Sequence, residues 1–179
     1  MAELSDEIIM NRVKDGNLTE LSVLFERYHI KLYNFMLRLT FDRSVSQDLT
    51  QNLFYRVIKY RSTYNNEHSF KSWIYQMARN IYYDYCKQQK KFNDQYVSVD
   101  AFDESVTAET NSFHEEDFNR LDKAMARLNP NQKEILILSK FLGLKYEEIS
   151  AIHNISVAAI KVQVHRALKE LRQHYFKLA

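Results

Sequence analysis

The stretch Lys145–Lys169, KYEEISAIHNISVAAIKVQVHRALK, contains two helical patterns separated by a short interruption. Ile149 and Ile152 are the apolar pair of the first pattern, and the second pattern begins at Val157, after Asn154–Ser156. Apolar residues three or four positions apart lie on one face of a helix. The stretch therefore predicts two helices joined by a tight turn.

The second of these helices has two different faces at about 100° per residue. Its apolar face consists of Val157, Ile160, Val164, Ala167, Leu168 and Leu171, and its outward face of Ala158, Val162, His165, Arg166, Lys169 and Gln173. Ser156 is the predicted N-cap, because a serine hydroxyl accepts a bond from a free N–H of the first turn. Small outward residues at the start of a helix permit close approach to a major groove, and basic residues behind them reach phosphates. The pattern indicates a helix-turn-helix that binds duplex DNA; a two-helix corner with a solvated basic face fits the stretch equally well.

The composition of the whole chain favours an all-α fold. The 179 residues include two glycines and one proline, and apolar residues recur at helical spacing almost throughout. The sequence has no run of about eighteen apolar residues, and its N-terminus, MAELSDEIIM, is acidic, so we predict neither a membrane span nor a signal peptide and expect a cytoplasmic location. The lone Cys86 fits a reducing compartment.

Charge is segregated along the chain. The net charge is −3 over residues 1–20, +7 over 21–91, −8 over 92–122 and +6 over 123–179. Two basic blocks are thus separated by an acidic one. This pattern predicts two contacts with a polyanion, which salt would weaken.

Three helices are predicted in the first basic block and the segment before it: about Ser5–Asp15 with Gly16 as its stop, Thr19–Leu39, and Ser46–Arg61. The third is apolar on two sides. Leu49, Leu53, Val57 and Tyr60 form one stripe, with Phe54 and Ile58 nearly opposite. Such a helix is either buried on both sides or offers one side to a partner.

The polar segment Ser62–Ser69 is a predicted loop, and FKSWIYQMARNIYYDYCKQQKK after it is a predicted helix. Phe70, Ile74, Met77, Ala78, Ile81 and Tyr85 form its core stripe; Ser72, Gln76, Arg79, Asn80, Tyr83, Lys87 and Lys90 lie opposite, with Trp73 at the edge. Aromatic rings stack unpaired bases, amides bind base edges and cations hold the backbone. This ridge suits single-stranded or opened DNA; taken alone, it also fits a helix on which Tyr83 and Trp73 cover the edge of the core while the charges are solvated, which is the commoner case.

The segment 92–112 is acidic and lacks periodicity, and we interpret it as a linker. Helical periodicity returns at about Phe113. Asn129 and Pro130 then provide an N-cap and a proline at the first helical position, and Gly143 ends that helix. Together with the two helices at Lys145–Lys169, this gives a C-terminal domain of four helices.

No catalytic site is predicted. The six histidines are scattered, and the sequence contains neither a glycine-rich phosphate loop nor a nucleophile motif. We therefore expect a binding protein that is not an enzyme, with no metal, no cofactor and no small-molecule substrate.

The order of these parts resembles that of the extracytoplasmic-function sigma factors of bacterial RNA polymerase. The resemblance rests on DLTQNLF at 48–54, FKSWIYQMARNIYYDYCK at 70–87, the acidic linker, and LNPNQKEILILSKFLGLKYEEISAIHNISVAAIKVQVHRALKEL at 128–171. It implies an all-α fold of two small helical domains: a region-two domain at 1–91, a linker at 92–112, and a region-four helix-turn-helix domain at 113–179.

In the first domain the resemblance implies two sites. Contact with the clamp helices of core RNA polymerase falls on Asp48, Leu49, Gln51, Asn52 and Phe54; the family has further carboxylates where Gln47 and Asn52 stand. Capture of a flipped base of the melted minus-ten element falls on the loop residues Tyr64, Asn65, Asn66, His68 and Ser69, backed by Trp73, Arg79, Asn80, Tyr83 and Lys87.

In the second domain the resemblance implies binding of the duplex minus-thirty-five element by Ser156, Ala158, Ala159, Lys161, Val162, His165, Arg166 and Lys169. Family members carry Gly-Thr and Lys-Ser where Ala158-Ala159 and Lys161-Val162 stand here. Val162 points outward, and we hypothesise that it touches a thymine methyl. The family also implies a linker that enters the RNA exit path of the polymerase, and an anti-sigma factor, often membrane-anchored, as a further partner.

Two other classes of protein compete with this interpretation. A stand-alone helix-turn-helix regulator would bind a palindromic operator without polymerase, but it has no use for an aromatic ridge that stacks unpaired bases. A helical adaptor that binds only protein would leave both basic blocks unexplained.

Overall fold

The computed structural model describes residues 4–96 and 120–177, with side chains described for 4–92 and 120–177. Every regular element in these ranges is helical, which confirms the predicted all-α fold. The predicted start of a helix at Phe113 and most of the predicted linker lie outside the described residues.

Four α-helices form the N-terminal half: α1 is Asp6–Lys14, α2 Leu21–Thr40, α3 Arg43–Lys59 and α4 Phe70–Tyr96. Short 3₁₀ turns at Leu18–Glu20 and Arg61–Thr63 precede α2 and follow α3. α3 begins earlier than predicted because the Asp42 side chain accepts a bond from the Val45 N–H at 3.0 Å and caps it. α4 extends into the segment predicted as linker.

The core of this half lies where α2 meets α3 and α4, with α1 across one end. α2 contributes the fully buried Leu24, Leu32, Phe35 and Met36, α3 contributes Leu53 and Val57, and α4 contributes Phe70, Ile74 and Ala78. Phe35 meets Tyr75 edge to face at 5.6 Å between ring centroids. Tyr60, predicted in the core stripe of α3, is instead 42% exposed because α3 ends at Lys59.

Four α-helices also form the described part of the C-terminal half: α5 is Arg120–Ala126, α6 Pro130–Leu136, α7 Tyr146–His153 and α8 Val157–Lys177. A π-helical turn, Ile137–Phe141, prolongs α6. Asn129 and Gln132 form a capping box at the start of α6, as the Asn129-Pro130 pair predicts. Gly143, with φ of 64°, lies in the left-handed region that favours glycine and ends this segment.

α7 and α8 enclose a second set of buried residues, which includes Ile149, Ile152, Ile160, Val164 and Ala167. Leu168, predicted on the apolar face of α8, is 39% exposed. The two halves are in contact, because α7 packs against α4. The helices α4 and α8, which carry the predicted sites, are therefore parts of one packed arrangement.

Candidate nucleic-acid and protein interfaces

The outward face of α8 is open to solvent. Ala158, Lys161, Val162, His165, Arg166 and Lys169 are all exposed, Val162 to 48%, while Ala159 is partly buried. The exposed Ser156 accepts a bond from the Ala159 N–H at 3.2 Å and caps the helix, as predicted. A small N-terminal turn followed by a cationic stretch is thus presented on one face of one rigid helix.

The turn before α8 is fixed by two polar residues. Asn154 ends α7 in the left-handed conformation, with φ of 53° and ψ of 44°, which asparagine tolerates better than most residues. The Ser150 hydroxyl on α7 donates to the Ile155 carbonyl. The Ser150 bond and the left-handed Asn154 together shape a short turn between α7 and α8, as in a helix-turn-helix.

One part of the predicted ridge on α4 faces a surface depression between α3 and α4. Trp73 and Asn80 line it together with Gln76 and Met77 of the same helix. Arg56 and Tyr60 of α3 and Thr63 of the following turn complete the wall. Two aromatic rings, two amides and a guanidinium therefore surround a space that is open to solvent, as a site for unpaired bases requires.

The other part of the ridge faces the C-terminal half. Arg79 Nε lies 2.9 Å from Glu134 Oε1 on α6, and the Tyr83 hydroxyl is 3.0 Å from both Glu134 Oε2 and Asn131 Oδ1, to which it donates. Lys87, one turn further along α4, is exposed. The ten predicted minus-ten residues are therefore not equally accessible.

The loop before α4 presents Asn65, Asn66, His68 and Ser69 to solvent. Tyr64 is fully buried, with its ring 5.4 Å from Trp73 and 6.2 Å from Phe70 between centroids. The expectation that Tyr64 contacts DNA directly does not agree with this burial. Its ring supports Trp73 from the core side.

Side chains of α1 and of the loop itself hold the loop in place. The Lys14 ammonium donates to the Tyr64 carbonyl at 2.7 Å, and Asn11 donates to Asn66 at 3.2 Å. The Glu7 carboxylate accepts from the Phe70 N–H at 3.1 Å, while the Ser69 hydroxyl accepts from the Ser72 N–H at 3.2 Å, at the start of α4. The loop is therefore anchored beside Trp73.

The predicted polymerase-binding residues of α3 divide into an exposed and a buried set. Asp48, Gln51 and Asn52 are exposed, whereas Leu49 and Phe54 are each 7% exposed. Phe54 packs against Phe25 of α2, 4.8 Å away between ring centroids. Of the two residues on the second apolar side of α3, Phe54 is therefore covered by α2, whereas Ile58 is 36% exposed.

A groove nevertheless runs between α2 and α3. It is lined by Phe25, His29 and Tyr33 of α2 and by Gln47, Thr50, Gln51 and Phe54 of α3. Phe25, 40% exposed, stacks on His29 at 4.6 Å. The sequence analysis did not assign the three α2 residues to this site, because their helical spacing also suits a core position.

Burial perturbs the ionisable groups around Glu134. Burial raises the pKa of Glu134 to about 7, although Arg79 and the Tyr83 hydroxyl act in the opposite direction. Burial, with the Arg79 charge nearby, lowers the pKa of His153 to about 4, and His153 Nε2 lies 3.4 Å from Glu134 Oε1. His153 is therefore a neutral neighbour of a buried carboxylate at pH 7.

Besides the three α2 residues of the groove, the sequence analysis did not assign Glu134, Arg56 and Tyr60 to these sites. A signal for Glu134 exists, since it stands next to the apolar run Ile135–Leu138, where an unpaired carboxylate would be costly to bury. Arg56 lies on the last turn of α3 and Tyr60 is the residue after its end, and both are close to the loop that the resemblance singles out.

Among the side chains of residues 4–92 and 120–177, no group of three or more His, Cys, Asp or Glu could hold a metal ion. Each helix in those ranges is too short or too polar to span a bilayer.

Comparison with known families assigns both halves of the chain. Residues 24–92 match Sigma-70 region 2, and residues 118–171 match Sigma-70 region 4. The first match contains α3, the loop after it and α4 as far as residue 92, and the second contains the helix-turn-helix.

Curated relatives align along most of the chain. The RNA polymerase sigma factor CarQ of Myxococcus xanthus is 29% identical over 92% of this chain and 94% of its own length. The ECF RNA polymerase sigma factor SigM of Bacillus subtilis is 31% identical over 85% of this chain and 93% of its own length.

Solved structures share the fold. CnrH, solved in complex with the cytosolic domain of CnrY, superposes with a TM-score of 0.71 at 16% identity, over 94% of this chain and 95% of CnrH. The sigma factor RpoE of Bartonella quintana, solved with the anti-sigma factor NepR, superposes with a TM-score of 0.67 at 23% identity, over 87% of this chain and 96% of RpoE. With both regions matched in order and a relative above 30% identity, the chain belongs to the extracytoplasmic-function sigma factors, which direct RNA polymerase to initiate at specific promoters.

Proposed function

We propose that this sigma factor divides promoter recognition between α8, which binds the duplex minus-thirty-five element, and α4, which captures the melted minus-ten element. The observation that carries the proposal is the difference in chemistry between the two surfaces. α8 presents small residues followed by cations, whereas α4 presents a tryptophan and two amides around an open depression.

On α8, Ser156, Ala158 and Ala159 would enter the major groove, and Lys161, His165, Arg166 and Lys169 would follow the phosphates. Val162 lies between these sets and is 48% exposed. An exposed valine among polar residues suits contact with a thymine methyl, which is apolar.

On α4, the unpaired bases would stack on Trp73 and pair their edges with Asn80 and Gln76. A base leaves its duplex at a cost of a few kcal/mol, which contacts in the pocket must offset. The exposed loop residues Asn65, Asn66, His68 and Ser69 lie next to Trp73 in the chain and would close over the flipped base. Arg79, Tyr83 and Lys87 would continue the contact along the strand.

Core polymerase would bind the surface of α3 and the groove beside it. Asp48, Gln51 and Asn52 provide the polar rim, and Phe25 and Phe54 provide an apolar floor. An apolar floor with a polar rim is the usual composition of a protein interface. Leu49, buried beneath this surface, would hold it in shape.

We propose the domain division 1–91, 92–112 and 113–179, with the acidic segment in the RNA exit path. An anti-sigma factor is the expected regulator, as for the related RpoE, which was solved with NepR. The chain itself would make and break no covalent bond, because polymerase performs the chemistry. It would work in the cytoplasm, where core polymerase and promoter DNA meet.

Run-off transcription tests the proposal. Purified protein is mixed with core RNA polymerase and a library of genomic promoter fragments, and transcripts are mapped. We expect co-migration with core polymerase and initiation from a restricted set of promoters. Failure of both would contradict the proposal, and binding to a palindromic duplex without polymerase would favour a stand-alone regulator.

A further inference from the structure

The loop before α4 is held by three polar side chains on one face of α1. Glu7, Asn11 and Lys14 are four and three residues apart, so they lie along one side of that helix, and we call them the α1 stripe. Ile9 and Val13 lie on the opposite side of α1 and are buried in the core. The buried side fixes the helix, and the stripe is directed at the loop.

Two members of the α1 stripe bind the loop itself. Lys14 Nζ donates to the Tyr64 carbonyl at 2.7 Å, where the loop begins, and the Asn11 amide donates to the Asn66 side chain at 3.2 Å, in its middle. Apart from the elements that flank the loop in sequence, α1 is the only element in the described ranges that forms hydrogen bonds with residues 64–69. The position of the loop therefore depends on α1.

The third member, Glu7, caps α4 from outside that helix. The first N–H groups of an α-helix have no partner within the helix, and the Glu7 carboxylate accepts from the Phe70 N–H at 3.1 Å. The helix dipole also favours a negative charge at this end. The Ser69 hydroxyl accepts from the Ser72 N–H and satisfies a second such group. Glu7 thus fixes the start of α4, three residues before Trp73.

Tyr64 carries this support to the proposed stacking surface. Its side chain is fully buried, and its ring meets the Trp73 ring edge on, at 5.4 Å between centroids. Burial, with the Glu7 charge nearby, raises the pKa of the Tyr64 hydroxyl to about 12, so the phenol is neutral at pH 7. Lys14 holds the backbone of the same residue. A displaced Tyr64 would remove the support behind Trp73.

The helix α1 is in turn bound to α2. Arg27 of α2 donates to the Asp6 carboxylate at 2.6 Å and to the Leu4 carbonyl at 2.9 Å, and the Tyr28 hydroxyl donates to the other Asp6 oxygen. Asp6 and Glu7 are adjacent, so the first turn of α1 is bound to α2 through one carboxylate and to α4 through the next. This makes α1 a fixed support between the two helices.

We infer that α1 positions the strand-capture site: the α1 stripe holds the loop and the start of α4 in the geometry that receives a flipped base, while α1 itself does not contact DNA. Its three side chains are positioning residues. No motif in the sequence assigns them this role, and α1 precedes residues 24–92, which match Sigma-70 region 2. The inference rests on the proposed capture of the melted minus-ten element by α4.

Fork-junction DNA tests this role on the holoenzyme. The fork carries a duplex minus-thirty-five element and a single-stranded minus-ten element from a promoter mapped by run-off transcription, and each minus-ten base is replaced in turn by an abasic site. The ratio of the dissociation constants for the abasic and the intact fork measures base capture. A variant that merely folds less well loses binding to both forks equally, which leaves this ratio unchanged.

For the wild type we expect a ratio of about tenfold at the captured position, the effect of one stacked base. Glu7→Ala and Lys14→Met should each lower this ratio about threefold, as expected for one lost hydrogen bond. Glu7→Gln and Lys14→Arg, which keep an acceptor and a donor, should stay close to the wild type. Arg12→Met is the matched control, because Arg12 is an exposed cation of α1 that pairs with Glu20.

Hydrogen exchange on the free chain reports the support without DNA. The Phe70 amide should exchange faster in Glu7→Ala, and amides of residues 64–69 faster in Lys14→Met, than in the wild type and in Arg12→Met. Unchanged exchange in both variants would overturn the inference. Faster exchange with a wild-type ratio would also overturn it, as would an equal fall of the ratio in Arg12→Met.

Failure of the proposed function gives a different result. If no abasic position weakens binding of the wild-type holoenzyme, α4 does not capture a base, and the positioning role is wrong with it. If the wild type discriminates against an abasic site and every α1 variant does so equally well, only the positioning role is rejected.

Discussion

α8 and α4 carry the two surfaces that we propose to bind DNA, and these surfaces differ in how accessible they are. On α8, Lys161, His165, Arg166 and Lys169 are exposed, and none has an ion-pair partner among the residues that the structure describes. On α4, Arg79 and Tyr83 are bound by Glu134, while Trp73 and Asn80 remain open to solvent.

This difference has a physical reason. A cationic helix face can bind duplex DNA before the strands open, because the phosphates of a duplex are always exposed and electrostatic attraction acts at long range. A surface that stacks unpaired bases has no ligand until the duplex opens, and it would bind any single strand in the meantime. In this structure, Arg79 and Tyr83 of α4 contact Glu134, whereas the cationic face of α8 is exposed.

The largest effect is expected from removing the stacking surface. Trp73→Ala combined with Asn80→Ala should lower run-off transcription by about 10- to 100-fold, since stacking contributes roughly 1–3 kcal/mol per base. Phe176→Ala, which removes another exposed ring at 60% exposure, is the matched control and should transcribe normally. If run-off transcription by the double variant fell by less than about twofold, α4 would not be the helix that captures the melted strand.

The next largest effect is expected from the exposed cationic face of α8. Arg166→Ala should weaken binding to minus-thirty-five duplexes at every sequence and lower the slope of log affinity against log salt by about 1. Arg172→Ala is the control, because Arg172 is an exposed arginine on the same helix that stacks on Phe176. Equal effects of the two substitutions would show that α8 attracts DNA without a fixed docking geometry.

A smaller effect is expected at Val162. Val162→Ser should reduce preference for thymine at one position of the minus-thirty-five element by about fourfold, taking roughly 0.8 kcal/mol for a buried methyl. Selection from a randomised duplex library measures this preference. An unchanged preference would mean that Val162 does not touch a base.

The smallest expected effect is the dependence of fold stability on pH, to which Glu134 and His153 contribute in opposite directions. The raised pKa of Glu134, from 4.5 to about 7, means that the folded chain holds a proton that the unfolded chain releases, so acidification through this window stabilises the fold. The lowered pKa of His153, from 6.5 to about 4, means that acidification through that window destabilises the fold.

Single substitutions should separate the contributions of Glu134 and His153 to the pH dependence of stability. As the pH falls from 6.5 to 4.5, the melting temperature of Glu134→Gln should fall more steeply than that of the wild type, and the melting temperature of His153→Gln less steeply. Each kcal/mol of difference in stability corresponds to about 2–4 °C in melting temperature. Calorimetry at several pH values measures both. Parallel curves for all three proteins would contradict the opposing shifts.

Local features of the fold could be predicted from the sequence because their causes are local. Ser156 caps α8, and Asn129 with Gln132 caps α6, since capping depends on residues three positions apart. The outward face of α8 follows from helical periodicity in the same way. The prediction that Leu168 belongs to the buried face of α8 is wrong for a related reason. Helical periodicity identifies the apolar face of a helix, but it does not show how far along that face a partner helix extends.

Tertiary features of the candidate sites could not be predicted. Helical spacing correctly puts Arg79 and Tyr83 on one face of α4, but it cannot show that Glu134, 51 residues beyond Tyr83, covers that face. The burial of Tyr64 and Phe54 has the same origin, because each packs against an aromatic residue on another element. The resemblance names residues by motif and does not separate those that touch a ligand from those that support them.

The division of labour between α4 and α8 can be measured directly on promoter complexes. Permanganate detects unpaired thymines in the minus-ten element, and nuclease footprinting on the same complex reports occupancy of the minus-thirty-five element. With Trp73→Ala and Asn80→Ala combined, we predict lost permanganate reactivity and a retained upstream footprint; with Arg166→Ala, both signals should fall together. Equal loss of both signals in the Trp73 and Asn80 variant would contradict the assignment of strand capture to α4.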